Sequence, residues 1–530
     1  MTFECYYKAS HSNTRRKNIH FRIPTFPSLV ILINYQVIVQ TAKLYHFLLL
    51  KKMCNDVHSL HVFFIPFLAY GHLIPTVDMA KLFAEKGVKA TIITTPLNAP
   101  FITKKIGKAK TSSTMIQIQT IELPCAGAGL PNGCENTNSI TSGALFPAFL
   151  RACGLLQHPF EQLLLEQRPN FVVADVMFPW ATNSAAKFGV PSLVYDGTSF
   201  FSICANHCME LYEPYKNDSS DSEPFLIPNL PGEIKLTRMQ VSPHAMSDES
   251  SGVKKLLEEV KESELKSYGM VVNSFYELEK VYADHLRKVI GRKAWHIGPM
   301  FLSNRVKEAK AHRETEGSID EHECLKWLDT KKPNSVVYVS FGTTTKFTNS
   351  QLKDIATGLE ASGEQFIWVV AKSEEDGVEW LPDGFEKKME GKRVIIRGWA
   401  PQVLILEHEA VGAFVTHCGW NSILEGVVAG VPMVTWPIAY EQFFNEKLVT
   451  EVIKIGVPIG AKKWAPGVGD TVKWEAVEKA VKRIMTGEEA EEMRKQAQVL
   501  SHLAREAVAE GGSSNSDLNA LIAELASLPN

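Results

Sequence analysis

This sequence predicts an α/β protein of two doubly wound, Rossmann-like domains, and three observations predict it. Short, near-continuously apolar runs alternate with amphipathic helical stretches, the pattern of parallel strands buried on both faces. The pattern restarts once, after a charged stretch from Asn304 to Glu321 that reads as a linker between two halves. And 530 residues exceed one ordinary core, so two domains of about 200 to 250 residues are expected.

Composition narrows the class. An apolar fraction of 45% with 22% charged residues is that of a globular protein. A net charge of −3, from 56 basic against 59 acidic residues, gives no reason to expect nucleic acid or an anionic membrane as partner. Nine scattered cysteines without a CxxC pair suit a reducing, cytoplasmic compartment. Cys204 and Cys208 flank His207, but no second ligand cluster accompanies them, so no metal is expected.

Residues 1–52 fit neither a signal peptide nor a membrane span. The apolar stretch from Leu29 to Val39 is interrupted by Asn34 and Gln36 and is shorter than the ~20 residues a span needs. They are expected to be an upstream extension outside catalysis, a gene-prediction artefact being one origin; disorder or weak membrane association is the alternative.

From there the chain reads in order. Leu60 to Phe67 is the first strand, followed by Ala69-Tyr70-Gly71-His72-Leu73-Ile74-Pro75 and a helix closed by Gly87. Val88 to Thr94 and Met115 to Leu123 are the next strands. Gly127 to Gly133 nearly imitates a dinucleotide fingerprint, but Pro131 and Asn132-Gly133 make it a loop, expected to border a ligand pocket. Leu145 to Leu165 is mostly helical with a break expected at Pro159. Phe171 to Ala174 is a buried strand ending on Asp175, a carboxylate that there needs a partner or must cap the helix at Pro179-Trp180. The polar stretch 213–224 is a loop whose Asn217-Asp218-Ser219 only formally matches a glycosylation sequon. Helix 253–266 and strand 269–273 finish the first half. In the second, strand Ser335 to Ser340 runs into Phe341-Gly342-Thr343; helix 350–362 and strands 366–370 and 393–397 follow. The charge run 374–376 reads as a solvated loop. Helices 443–453, 473–485, 489–508 and 515–527 and a strand at 457–460 close the chain.

The most informative stretch is 399–442. Ala413-Phe414-Val415 is a buried strand that stops at His417-Cys418-Gly419, and a helical pattern starts near Trp420-Asn421-Ser422. A strand–turn–helix step presents unpaired N–H groups and a positive helix end, which suits a pyrophosphate. His417 could add a hydrogen bond, Glu425 could accept from ribose hydroxyls, and Trp399 offers a face on which a base can stack. Glu441-Gln442, after a second strand at Met433 to Thr435, can accept from and donate to sugar hydroxyls. Singly, His417 reads as a core or turn histidine, Trp399 as core and Glu425 as a solvated helix face. Their joint order makes a nucleotide-sugar site the reading.

With Trp-Ala-Pro-Gln at its start, His-Cys-Gly-Trp-Asn-Ser inside and Glu-Gln at its end, this stretch closely resembles the signature box of plant secondary-product (family 1) UDP-glycosyltransferases. The resemblance covers about residues 53–530 and implies the GT-B arrangement: an acceptor domain (53–300), a linker (301–322), a UDP-sugar domain (323–508) and a C-terminal helix (509–530) returning to the first domain. It implies that Trp399 stacks on uracil, the Ala400 backbone pairs with its edge, and Gln402 and Glu425 lie near the ribose. His417, Asn421 and Ser422 would bind the phosphates, and Trp420, Glu441 and Gln442 the sugar. Thr343 stands where the family usually has Ser and keeps the hydroxyl for a phosphate contact. The Gly-His-x-x-Pro spacing makes His72 the implied catalytic base and Asp175 the partner that orients it. Gln442 favours UDP-glucose as donor; UDP-galactose, UDP-xylose and UDP-glucuronate are the alternatives, and a catalytically silent UDP-sugar-binding protein is the non-enzyme rival. The segments around His72, Asp175 and Gly197-Thr198-Ser199 resemble the group acting on flavonoids, triterpenoids and related phenolics. A monomer, no metal and no stable membrane insertion are expected.

Overall fold

The computed structural model describes residues 60–107, 115–140, 143–216, 220–246, 252–302, 319–343, 345–370 and 381–528, with 319–322 described for their backbone alone. The expectations for residues 1–52, for the sequon at 217–219, for most of the linker and for the charge run at 374–376 lie outside the described residues.

The first half is built on a seven-stranded sheet: β1 (His61–Ile65), β2 (Lys89–Thr94), β3 (Ile116–Thr120), β4 (Phe171–Asp175), β5 (Ser192–Tyr195), β6 (Gly269–Val272) and β7 (Ala294–His296). All pairs are parallel and the spatial order is β3-β2-β1-β4-β5-β6-β7. The second half repeats the scheme with β8 (Val336–Ser340), β9 (Gln365–Val370), β10 (Arg393–Arg397), β11 (Val411–Thr416), β12 (Met433–Thr435) and β13 (Gly456–Pro458) in the order β10-β9-β8-β11-β12-β13. In each sheet the order reverses between the first and fourth strands. That is the switch point of a doubly wound fold, where a crevice opens beyond the carboxyl ends of the strands.

The apolar runs form strands because helices cover both sheet faces. Phe64, Phe83 and Phe171 pack on one side of the first sheet, and Phe63, Phe149 and Phe160 on the other. Trp368 and Trp436 fill a face of the second sheet. Two expectations shift in detail. The segment from Leu145 onward breaks into helices Phe146–Gly154 and Gln157–Gln167, so the break precedes Pro159. Pro159 sits in the first turn of the second helix, where its missing N–H would be unpaired anyway. The helix expected at 443–453 is α-helical over Gln442–Lys447 and then widens to a π-type turn over Leu448–Val452.

The helices that bear on the crevice and on the return of the chain are α1 (Tyr70–Glu85), α2 (Phe200–Tyr212), α3 (Trp420–Ala429), α4 (Glu488–Val508) and α5 (Ser513–Ala526). After α4 the chain crosses back to the first half. Leu518, Leu521, Ile522 and Leu525 of α5 join the apolar core of the first half, with the helix lying against β7. Asp517 fastens the helix there, taking bonds from Arg287 (2.6 Å), the His296 ring (2.7 Å) and the His296 N–H (3.1 Å).

Candidate active site

A cleft of about 3660 Å³ runs between the carboxyl ends of the two sheets. Single-ligand pockets hold roughly 300–1,000 Å³, so this one has room for two substrates at once. Of the thirteen residues the sequence singled out, twelve line it: His72, Thr343, Trp399, Ala400, Gln402, His417, Trp420, Asn421, Ser422, Glu425, Glu441 and Gln442. The thirteenth, Asp175, is buried directly behind His72.

His72 lies in the first turn of α1, just past β1. Its Nδ1 is 2.8 Å from Asp175 Oδ2. A carboxylate only accepts, so Nδ1 carries the proton, and Nε2 is left as the ring's basic nitrogen on the cleft side. Asp175 Oδ1 is engaged by the Met177 N–H at 3.0 Å. The capping alternative for Asp175 is not realised: Phe178 is the N-cap of helix Pro179–Lys187, with no side-chain cap bond. Burial works against charging the His72 ring, but Asp175, with Glu441 and Asp196 behind it, lifts its pKa above the ordinary 6.5.

The second half's share of the cleft begins at the turn between β11 and α3. Gly419 caps α3, and the first intrahelical bond runs from Ile423 N–H to Gly419 O, so the N–H groups of 420–422 have no acceptor within the helix. His417 is wedged between two glycines. A Cβ on Gly342 would sit 2.7 Å from its Cε1, and one on Gly419 2.5 Å from its Nε2. Its Nδ1 is buried without a partner, and burial pushes its pKa down to about 4. The imidazole is therefore a neutral group at physiological pH. Cys418 holds the turn with φ of 66°, and Tyr440, beside Glu441, with φ of 58°. Left-handed backbone at non-glycine residues is a strain that clusters at functional sites.

Gln402 is committed to the protein itself. Its Oε1 accepts from Tyr338 OH (3.2 Å), and its Nε2 donates to Glu425 (2.6 Å) and Ser422 Oγ (3.2 Å), so it aims the Glu425 carboxylate. Trp399 is 60% exposed and is no core residue. Glu441 is pushed toward protonation by burial, tempered by His72. The Oε1 of Gln442 takes the N–H groups of Ile438 (2.8 Å) and Ala439 (3.1 Å), so its amide meets the cleft as a donor rather than as both donor and acceptor. Trp420 is buried with its indole N–H on the Asn273 carbonyl (2.8 Å), which leaves its backbone N–H as the group for a ligand.

Several bonds tie the halves together beside these groups. Pro75, inside α1, has no N–H to give to Gly71 four residues back. That carbonyl instead accepts Asn421 Nδ2 from α3 at 2.8 Å, one residue before His72. Asn445, fully buried, donates to Cys418 O (3.0 Å) and accepts from Ser202 Oγ (2.9 Å) at the start of α2.

Sequence reasoning missed Asp196. It follows β5, whose Tyr195 pairs in register with Asp175, and it lines the cleft. Burial, then the carboxylates Glu264, Glu441 and Asp175, hold its pKa well above the usual range. The available signal was its place at a strand end beside the Asp175 strand. The loop 127–133, expected to border the pocket, is not among the residues lining the cleft; Thr137, Asn138, Ile140, Phe146 and Leu150 take that place. Among the described residues no three His, Cys, Asp or Glu side chains are placed to hold a metal ion. None of the helices described is long and apolar enough to cross a membrane.

The chain is similar to known proteins along most of its length. A family profile described as UDP-glucoronosyl and UDP-glucosyl transferase matches residues 269–495. A scopoletin glucosyltransferase of Nicotiana tabacum is 54% identical over 467 residues, 88% of this chain and 98% of that one. A UDP-glucose flavonoid 3-O-glucosyltransferase of Fragaria ananassa is 55% identical over 483 residues, 89% of this chain and 97% of that one. Among solved structures, a Glycyrrhiza uralensis glycosyltransferase complexed with glycyrrhetinic acid 3-O-monoglucuronide superposes with a TM-score of 0.80 at 43% identity, covering 88% of this chain and 95% of that one. With a signature box whose residues converge on one cleft and relatives matched along nearly their whole length, the chain belongs to the plant family 1 UDP-glycosyltransferases.

Proposed function

We propose that the protein transfers glucose from UDP-glucose to a hydroxyl of a small lipophilic plant metabolite, a flavonoid, triterpenoid or other phenolic, with inversion. The observation that carries the reading is the His72–Asp175 pair at the floor of a cleft wide enough for donor and acceptor together. His72 Nε2 takes the acceptor's hydroxyl proton as its oxygen attacks the anomeric carbon. The bond from that carbon to the β-phosphate oxygen breaks, UDP leaves, and an α-linked donor gives a β-glucoside. Asp175 holds the ring and stabilises the imidazolium that forms. The N–H groups of 420–422 with His417, Ser422 and Thr343 meet the charge that grows on UDP.

Apolar side chains of the first half, Phe67, Phe146, Leu150, Met177 and Val241, line the cleft and suit a lipophilic acceptor. The named substrates of the relatives, scopoletin and flavonoids, are of this kind. The domain reading assigns residues 53–300 with the returning tail to the acceptor and 323–508 to UDP-sugar. A cytoplasmic monomer completes the proposal.

A mass-resolved acceptor screen with UDP-glucose tests it. A product heavier by one hexose is expected from the wild-type chain. His72→Ala should lose roughly 10²- to 10⁴-fold in turnover while still binding UDP. Undiminished turnover in that variant would remove His72 from the chemistry.

A further inference from the structure

The wall of the cleft that faces Trp399, the shelf on which the UDP-sugar reading stacks the base, belongs to the first half, and two of its side chains reach across. Lys105 Nζ lies 5.9 Å from the centre of the Trp399 ring. Asn138 Nδ2 donates to the Thr343 carbonyl at 3.2 Å, in the loop assigned to phosphate. Both stand on an ordered mount. Lys105 is in the last turn of helix Ala99–Ile106, whose Ile102 and Ile106 are buried in the core below, so their burial sets the helix's rotation. The residue before that helix, Asn98, is 3% exposed. Its Nδ2 donates to Thr95 Oγ1 (2.8 Å) and the Glu135 carbonyl (2.7 Å), and its Oδ1 accepts from Asn136 Nδ2 (2.9 Å). The Glu135 carboxylate takes the Leu97 N–H at 2.8 Å. Asn136 then caps the turn that carries Asn138. A satisfied buried polar network of this kind rigidifies what it joins. The lysine helix and the asparagine turn are thus one piece, meeting the second half at its base shelf and at its phosphate loop.

We propose that Lys105 is a nucleotide-binding residue supplied by the acceptor half, its ammonium donating to the carbonyl edge of a base stacked on the Trp399 indole. The inference rests on the UDP-sugar reading of the cleft and adds a residue that reading does not contain. An ammonium carries only donors. It matches the two exocyclic carbonyl oxygens of uracil and is mismatched to the exocyclic amine of cytosine, so Lys105 favours UDP over CDP. It also brings positive charge to a donor site whose groups assigned to the phosphates, Thr343, His417, Asn421 and Ser422, are neutral, which makes nucleotide affinity fall with added salt.

Calorimetric titration of the full chain with UDP and with CDP, for wild type, Lys105→Ala, Lys105→Arg and Lys105→Glu, tests it. The lysine is exposed at a helix end, so the variants should fold. The alanine variant should bind UDP roughly 2- to 10-fold more weakly, the net worth of one hydrogen bond, with a smaller UDP-over-CDP preference. Arginine should restore most of the loss, and glutamate should deepen it. Unchanged UDP affinity in the alanine variant would overturn the proposal. Tighter UDP binding would overturn it too, since Lys105 would then merely occupy the shelf until a base displaces it. A wild-type chain that binds no UDP would bring down the donor reading itself, and this proposal with it.

Discussion

Gly419→Ala isolates what the His417 wedge contributes. The backbone of Gly419, at φ −62° and ψ 137°, is open to any residue, so the substitution introduces no dihedral strain. Its whole effect comes from the new methyl, which would lie 2.5 Å from His417 Nε2 and 3.0 Å from Cε1. The ring must retreat by about 0.9 Å to regain ordinary contact. A hydrogen bond of about 2.9 Å lengthened by that much passes beyond useful range. Losing one bond to a charged phosphate oxygen costs about 1.5–3 kcal/mol, or roughly 10- to 150-fold in affinity for UDP-glucose. Initial rates against UDP-glucose at saturating acceptor, with UDP titration calorimetry, measure it. The partner experiment is a cycle with His417→Ala. If ring displacement is the cause, Gly419→Ala adds nothing once the ring is gone. Wild-type donor affinity in the single variant, or penalties that simply add in the double, would refute the reasoning; the second result would mean that the methyl blocks the phosphate directly.

Two further predictions concern pairs rather than glycines. A base must be unprotonated to act, and Asp175 holds the His72 pKa above 6.5, so kcat/KM should rise with pH through a midpoint above that value. Asp175→Asn should move the midpoint down while lowering the plateau; an unmoved midpoint in a pH–rate profile would contradict the pairing. Asp517 has its carboxyl held below the ordinary 3.8: burial raises it, but His296 and Arg287 outweigh that. Its contribution to stability is therefore full at neutral pH and is lost as pH falls through that lowered value. Asp517→Ala should cost about 2–3 kcal/mol at pH 7, read by chemical denaturation, and a change near zero would show that α5 is held by its apolar face alone.

Both halves of the fold were legible because parallel strands covered on two faces write themselves as unbroken apolar runs, and their ends carry the chemistry. That is why His72, Asp175 and His417 could be put at strand ends from the order of residues, while the roles of His72 and Asp175 came from the resemblance to a family. What escaped was whatever depends on the meeting of distant segments. Asp196 reads as an ordinary loop acid until β5 is laid beside β4. Asn445 reads as one more polar residue of a mixed helix until Ser202 and Cys418 close around it. Pro75 looks like a helix fault until the carbonyl it frees meets Asn421. Pro159 misled for a local reason: proline in a first turn begins a helix as readily as proline in an interior breaks one.

The returning helix α5 bears on how such enzymes can be recombined. The first half is encoded by two separate stretches of the gene, since Leu518, Leu521, Ile522 and Leu525 complete a core otherwise drawn from residues 60–300. Between α4 and α5 the chain turns at Gly512, where any side chain would run into the carbonyls of Glu506 and Ala507. A chimera joined at a single crossover near residue 310 would therefore pair each acceptor half with a foreign tail. Exchanging acceptor halves between relatives cleanly takes two crossovers, the second at that glycine, so that about eighteen C-terminal residues travel with the domain they complete.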